Sequence, residues 1–258
     1  MFATTILFAS LLALSSAFPS SNDGRIVNGQ TATLGQFPFQ VLLVVHLNPA
    51  GSALCGGSLL SNQWVLTAGH CTEGAKSFEV HLGAVDFEDK TNDGRVVLKA
   101  TEFYRHEEYD PVFATNDVAV VKLPRPVEFN ERVKPVKLPE GNDSFAGRKT
   151  VVSGWGLQKD MGKVAEKLQY APVKVITNEK CSEAFSSLII KRSTLCAEGE
   201  HKESPCNGDS GGPLVLEGSD VQVGVVSFGH AAGCELGYPV AFARLTSFVD
   251  WVKHKTGL

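Results

Sequence analysis

Three short stretches carry side chains that together could transfer an acyl group. In Cys206-Asn207-Gly208-Asp209-Ser210-Gly211-Gly212-Pro213 a serine stands among glycines. Residues without a Cβ let another backbone approach closely and let consecutive N–H groups point into one small volume. A seryl hydroxyl holds its proton far above neutral pH, so it attacks a carbonyl only with a base in hydrogen-bond reach. Leu66-Thr67-Ala68-Gly69-His70-Cys71 offers that base, an imidazole able to take and return a proton near neutrality, next to a cysteine that could pin its backbone. Thr115-Asn116-Asp117 precedes the apolar run Val118-Ala119-Val120-Val121, which could bury a carboxylate that orients the imidazole. An isolated Gly-rich string ending at a proline is ordinarily just a turn. Here the histidine and aspartate stretches accompany it, as does Arg25-Ile26-Val27-Asn28-Gly29, a basic residue before an apolar pair that reads as a cleavage site.

The elements that must hold these residues are short. Apolar, β-branched runs at residues 41–45, 64–66 and 118–121 are separated by Gly, Pro and Asn clusters, the pattern of antiparallel β structure. Periodicity alone leaves sandwich and barrel both open. Residues 124–139 hold four prolines, which disfavours a central strand and marks a crossing between domains. Asn142-Asp143-Ser144 is a glycosylation sequon in a polar loop, and residues 156–166 form a Gly- and Lys-containing loop expected to be mobile. Near the end the period changes: Phe248, Val249, Trp251 and Val252 share one helical stripe, with Ser247 placed to cap it and Lys253, His254 and Lys255 in the last turn.

With 258 residues, 43% hydrophobic content and a net charge of -4, the chain can build one large core or two modest ones, and nothing in it points to a nucleic-acid partner. The apolar run at residues 6–14 is too short to span a bilayer and precedes Ser15-Ser16-Ala17, so residues 1–17 read as a secretory signal, although residues 1–5 lack Lys and Arg. Residues 18–25 then form a short activation peptide without a cysteine, expected to leave after cleavage. No later stretch reaches transmembrane length, so a soluble product without a membrane partner is expected. Six cysteines in a secreted chain imply three bridges, with fifteen pairings open by arithmetic.

In the order His, Asp, Ser, and with Gly154-Trp155-Gly156 and Val226-Ser227-Phe228-Gly229, residues 26–258 resemble the chymotrypsin-like serine proteases of the trypsin family. The resemblance implies an all-β fold of two packed six-stranded antiparallel β-barrels with a C-terminal α-helix, the active site lying in the cleft between barrels. The barrels would span about 26–130 and 135–245 and the helix 246–256, with Trp251 packed on the second barrel. His70 would be the base, Asp117 its orienter, Ser210 the nucleophile, and Ser227 a donor to Asp117. The N–H groups of Gly208 and Ser210 would form the oxyanion hole. Cleavage after Arg25 would free an ammonium at Ile26 to pair with Asp209. Some relatives hold that aspartate beforehand with a Ser and His pair, where this chain has Leu42 and Ala53. The implied bridges are Cys55–Cys71, Cys181–Cys196 and Cys206–Cys234.

The same resemblance puts Ser204 at the floor of the substrate pocket, Gly229 at its entrance and Val240 on its wall, as in the arthropod chymotrypsin and collagenase-like branch. Without an acid at the floor, a preference for apolar residues is expected and self-cleavage at Arg25 is not. Residues 83–95 are acidic, through Asp86, Glu88, Asp89 and Asp93, but Ala84 replaces the first glutamate of calcium-binding relatives, so a solvated loop and no metal are expected. No cofactor is expected either. His46, His81, His106, His201, His230 and His254 read as structural or solvated. Expected partners are protein or peptide substrates, a trypsin-like activating protease and protein inhibitors, for a monomer secreted to the extracellular space, for instance a digestive lumen. The alternatives are a catalytically silent homologue, which would ordinarily have lost a triad member, or a cascade protease, which would ordinarily carry more than eight residues between signal and Ile26.

Overall fold

Strand β2 (Gln40–Leu47) shows how an unbroken apolar run is used. Val41, Leu43 and Val45 point into one core, while Leu42, on the opposite face, packs with Trp155 and Leu168. A strand buried on both faces has no polar alternation to show. The structure, a computed structural model, describes residues 26–86, 89 and 94–258. The signal and activation peptides, including Arg25, lie outside the described residues, as do Glu88 and Asp93 of the acidic loop.

The first barrel contains β2, β3 (Ser52–Leu59), β4 (Trp64–Thr67), β5 (Ala75–Leu82), β6 (Val96–Ala100), β7 (Glu102–Arg105) and β8 (Ala119–Lys122), all antiparallel in the order β6-β5-β2-β3-β4-β8-β7. Only Thr101 separates β6 from β7, so the two are one bent strand that pairs with β5 at one end and β8 at the other. Six strands thereby close on themselves. The second barrel, β9 (Lys149–Gly154), β10 (Gln169–Ile176), β11 (Thr194–Glu198), β12 (Pro213–Leu216), β13 (Gln222–Phe228) and β14 (Val240–Arg244), closes through the β9–β10 pairing. Both form because closure leaves no long unpaired edge. Among the described residues three buried side-chain bonds connect the barrels: Ser58 Oγ to Gln222 Oε1 and Ser153 Oγ to Gln40 Oε1, both 2.6 Å, and Ser227 Oγ to Asp117 Oδ2 at 2.5 Å.

Several expectations are corrected. Residues 26–31 sit with the second barrel: Ile26 joins its core and β1 (Gln30–Thr31) pairs with β10. The proline-rich crossing carries no strand, but Val136 N donates to Leu59 O in the first barrel and Lys137 N to Asp220 O in the second. Helix α1 (Asn178–Phe185) was not read from the sequence; Thr177 caps it by accepting from Lys180 N. The C-terminal helix α2 begins later than expected, at Val249–Thr256, because Leu245–Ser247 is a 3-10 turn. Ser247 makes no cap, and Phe248 fills the cap position without a side-chain bond. Trp251 faces the first barrel, not the second: its Nε1 donates to Glu107 Oε2 at 2.8 Å and its ring lies 5.1 Å from that of His106. An indole N–H needs an acceptor when covered, and Glu107 provides it.

The loop at residues 156–166 is tied down along its length. Leu157 bridges Val164, Leu157 N donates to Asn207 O at 2.8 Å, and Ala165 N donates to Trp155 O at 3.0 Å. Among the described residues no helix is long and apolar enough to cross a membrane.

Candidate active site

Asp117 sits just ahead of β8 and is 1% exposed. Burying a carboxylate requires donors, and three reach it. Its Oδ1 accepts from His70 N at 2.8 Å; its Oδ2 takes the His70 Nδ1 proton at 2.8 Å and the Ser227 Oγ proton at 2.5 Å. With Nδ1 donating, the other ring nitrogen is left to accept. His70 itself opens a 3-10 turn, His70–Thr72, at the end of β4. Burial by itself would pull the His70 imidazole down, but the bond to Asp117 and the charges of Asp117 and Glu73 outweigh it and hold the ring above its ordinary 6.5.

Tyr109, which the sequence did not single out, adjoins Gly69 on the same side as Asp117. A Cβ on Gly69 would stand 3.1 Å from both Asp117 Oδ1 and Tyr109 Cδ2, so glycine leaves room for the carboxylate and the ring together. Burial and the negative charges of Asp117 and Glu73 push the Tyr109 hydroxyl well up, which keeps it neutral. Arg105 lies 5.2 Å above the same ring.

Ser210 heads β12 from the opposite barrel. Its carbonyl accepts from Gly56 N at 2.7 Å and lies 3.5 Å from Cys71 Sγ, which brings its backbone to the residue after His70. Cys55 and Cys71 are bonded to each other, as are Cys181 with Cys196 and Cys206 with Cys234. The close approach depends on glycines: a Cβ on Gly56 would come within 2.8 Å of Gly212 Cα, and one on Gly211, at φ +82°, within 2.1 Å of Thr67 Oγ1 and 2.6 Å of Gly56 O. The Gly56-Gly57 pair is the sequence signal for this approach. Among the described residues neither Gly208 N nor Ser210 N donates to an acceptor, whereas Asp209 N between them donates to Cys206 O at 2.9 Å. Gly208, at φ +100°, permits this alternation. Two free donors therefore flank one committed one.

Asp209 is fully buried. Gly156 N donates to its Oδ1 at 2.7 Å and Cys206 N to its Oδ2 at 2.9 Å. The glycines on either side of Trp155 make the space, since a Cβ on Gly154 would fall 2.1 Å from Oδ1 and one on Gly156 2.4 Å from Oδ2. Burial pushes the Asp209 carboxyl up to about 6, against the opposing pull of the Cys206 and Gly156 amides. Ile26 is buried in the neighbouring core, and Val27 exchanges backbone bonds of 3.2 and 3.3 Å with Ser204.

Of the residues expected at a substrate pocket, Ser204 is 2% exposed with its Oγ donating to Pro205 O, and Val240 is 6% exposed in an apolar cluster with Ile26 and Val226. A Cβ on Gly229 would meet nothing within 4 Å, so the chain there borders open space. Asn142 is exposed. Of the other histidines, His230 stacks on Tyr238 at 3.8 Å, His201 contacts Glu203, and buried His81 contacts Glu79. Among the described residues, the two His, Cys or Asp groupings with ligand-like spacing each contain a disulfide, whose sulfurs are not free thiolates.

Comparison with known proteins gives the same direction. A model of the Trypsin family matches residues 26–252. Collagenase of Hypoderma lineatum is 41% identical over 263 residues, covering 98% of this chain and 98% of its own length. Brachyurin of Leptuca pugilator is 37% identical, covering 90% and 99%, and Chymotrypsin-C of Mus musculus is 34% identical over the full length of both. A solved structure of HL collagenase superposes with a TM-score of 0.82 at 40% identity, over 90% of this chain and 99% of the other. A family match across both barrels, joined to relatives above 30% identity over nearly the whole chain, leaves one conclusion: the chain belongs to the trypsin family and is a chymotrypsin-like serine endopeptidase.

Proposed function

We propose that this protease is secreted as an inactive precursor, is activated by cleavage after Arg25, and hydrolyses peptide bonds that follow apolar residues. The observation that carries the catalytic part is the chain of bonds Ser227–Asp117–His70, set against the glycine-flanked Ser210. His70 accepts the Ser210 proton through Nε2 as Oγ attacks the scissile carbonyl. Asp117 holds the tautomer and stabilises the imidazolium that forms. The carbonyl oxygen, now negative, receives the free N–H groups of Gly208 and Ser210, each such donor being worth about 2.7–4 kcal/mol. His70 then gives its proton to the leaving amine, and water, activated by the same imidazole, releases the acyl group.

Activation is read from Asp209. A buried carboxylate held only by amides has a clear partner in the ammonium that cleavage would create at Ile26, and Val27 already adjoins Ser204. Arg25 calls for an activator of trypsin-like preference. The pocket reading rests on Ser204, which offers no charge to a basic side chain, on the open approach at Gly229 and on the volume of Val240. A methylene more or less in such a site is worth about 1–3 kcal/mol, so preference grades across Phe, Leu and Ala instead of switching. The name of the Hypoderma relative makes collagen one protein substrate to assay. Protein inhibitors, a monomeric state, secretion into a digestive lumen and a glycan on exposed Asn142 belong to the same proposal.

The test is to cleave the purified precursor after Arg25 and compare initial rates on matched peptides with Phe, Leu, Ala or Arg before the scissile bond. The expected result is activity that favours Phe or Leu, drops by more than about tenfold for Arg, and vanishes with a serine-acylating inhibitor. A preference for Arg would overturn the pocket, and no activity after verified cleavage would overturn the assignment of the triad.

A further inference from the structure

The loop at residues 156–166 and the segment around Cys234 come from distant parts of the chain, yet they exchange two hydrogen bonds. Asp160 Oδ1 accepts from Cys234 N at 2.8 Å, and Asp160 N donates to Glu235 Oε2 at 2.8 Å. The fit is close: Gly233 has φ +119°, and a Cβ there would lie 2.3 Å from Asp160 Oδ2. The Asp160 carboxylate also lies within 4.8 Å of the sulfurs of Cys206 and Cys234.

These contacts complete a circuit. Cys206, four residues before Ser210, is bonded to Cys234; Cys234 N is bonded to Asp160; and Leu157, at the root of the same loop, donates to Asn207 O beside Gly208. Three loops are thus braced against one another, and Asp160 is the side chain that closes the brace. The segment it holds, residues 233–235, follows Gly229 and leads to Val240, so it forms part of the rim on the reading of the pocket given above. Met161, next in the chain, is 98% exposed, which leaves the loop tip with no apolar anchor of its own there. Without the Asp160 carboxylate the rim would keep its disulfide and the bond from Asp160 N to Glu235 but lose the acceptor that fixes Cys234 N.

We infer that Asp160 is a positioning residue for substrate specificity: it fixes the Cys234 rim of the substrate pocket without touching the reacting atoms. This rests on the pocket assignment of Ser204, Gly229 and Val240. Asp160→Asn keeps an oxygen that can accept from Cys234 N, whereas Asp160→Ala removes it. The experiment measures kcat and KM for the Phe, Leu and Ala peptides in the cleaved wild type and both variants, alongside the rate at which methanesulfonyl fluoride inactivates each. That reagent carries no side chain to fill a pocket and reports on Ser210, His70 and the oxyanion donors beside them.

For Asp160→Ala we expect KM on the Phe and Leu peptides to rise about tenfold, equal to about 1.4 kcal/mol and in keeping with loss of a hydrogen bond to a charged acceptor. The inactivation rate should stay within about twofold, and Asp160→Asn should recover most of the loss. Unchanged KM in Asp160→Ala overturns the inference. So does an equal fall in peptide turnover and inactivation rate, which would mark a merely structural role, and so does an Asn variant as impaired as the Ala variant. The wild-type peptide series separates the two layers: a wild type preferring Arg would sink the pocket assignment itself, whereas a Phe or Leu preference with an indifferent Asp160→Ala would sink only the brace.

Discussion

Asp209 gives the sharpest test of the proposed activation by cleavage. In the uncleaved chain its carboxylate is fully buried, receives two backbone amides, and among the described residues has no cation paired with it. A rise of its pKa from an ordinary 3.8 to about 6 is equivalent to about 3 kcal/mol. The sign follows from proton uptake. Between about pH 4 and 6 the folded precursor keeps the proton that the unfolded chain has released, so stability falls as pH rises through that window. The contribution is fully present below the unfolded value and gone above the folded one. Cleavage would place an ammonium at Ile26 and remove the penalty where it is largest, at neutral pH.

The perturbation is Asp209→Asn in a precursor kept intact by Arg25→Gln, which removes the titrating group and leaves its shape. Equilibrium urea unfolding at pH 4, 5, 6 and 7 would be compared with the same precursor carrying Asp209, and only the difference in pH dependence is read. The Asp209 precursor should lose up to about 3 kcal/mol more than the Asn variant between pH 4 and 7. The wild-type protein after cleavage should show little of that extra loss. Identical pH dependence in the two precursors would refute the reasoning, since it would mean that the buried carboxylate is already compensated before cleavage.

Three further outcomes follow from the geometry of the triad and of the C-terminal helix. Because Asp117 holds His70 above 6.5, kcat/KM of the cleaved enzyme should fall on the acid side with a midpoint above that value; Ser227→Ala, which deletes the 2.5 Å bond to Asp117, should lower kcat/KM by about tenfold or more, and unchanged kinetics would count against its role. Glu107 is held down to about 2 by Lys255 first, then by the Trp251 indole, so its contribution to fastening α2 is present above the ordinary carboxylate value and is lost as pH falls toward 2. Its exposure keeps the effect small. Glu107→Gln should flatten the fall in Tm below pH 4.5, and an unaltered acid profile would argue against the clasp.

The sequence by itself pointed to the chemistry and to antiparallel β structure, and its resemblance to a family pointed to the barrels. Ser210, His70 and Asp117 are recognisable because each sits in a local string whose neighbours serve it: glycines at 208 and 211 for close approach, Cys71 for a fixed backbone, an apolar strand behind Asp117. Short β-branched runs fixed the strands for the same local reason. What lay beyond reach depended on partners far apart in the chain. The Gly154-Trp155-Gly156 string could be recognised as a motif, but only the folded chain shows that its glycines make room for Asp209, 53 residues away from Gly156. Trp251 could be placed on a helix stripe, yet which barrel it faces was decided by the acceptor at Glu107, 144 residues earlier. A polar loop such as residues 156–166 reads as mobile, because side-chain composition does not disclose that Asp160 meets Cys234 and Glu235 across 74 and 75 residues. Local strings specify which groups are present; long-range hydrogen bonds and burial, which no window of sequence contains, decide where those groups are held and how tightly.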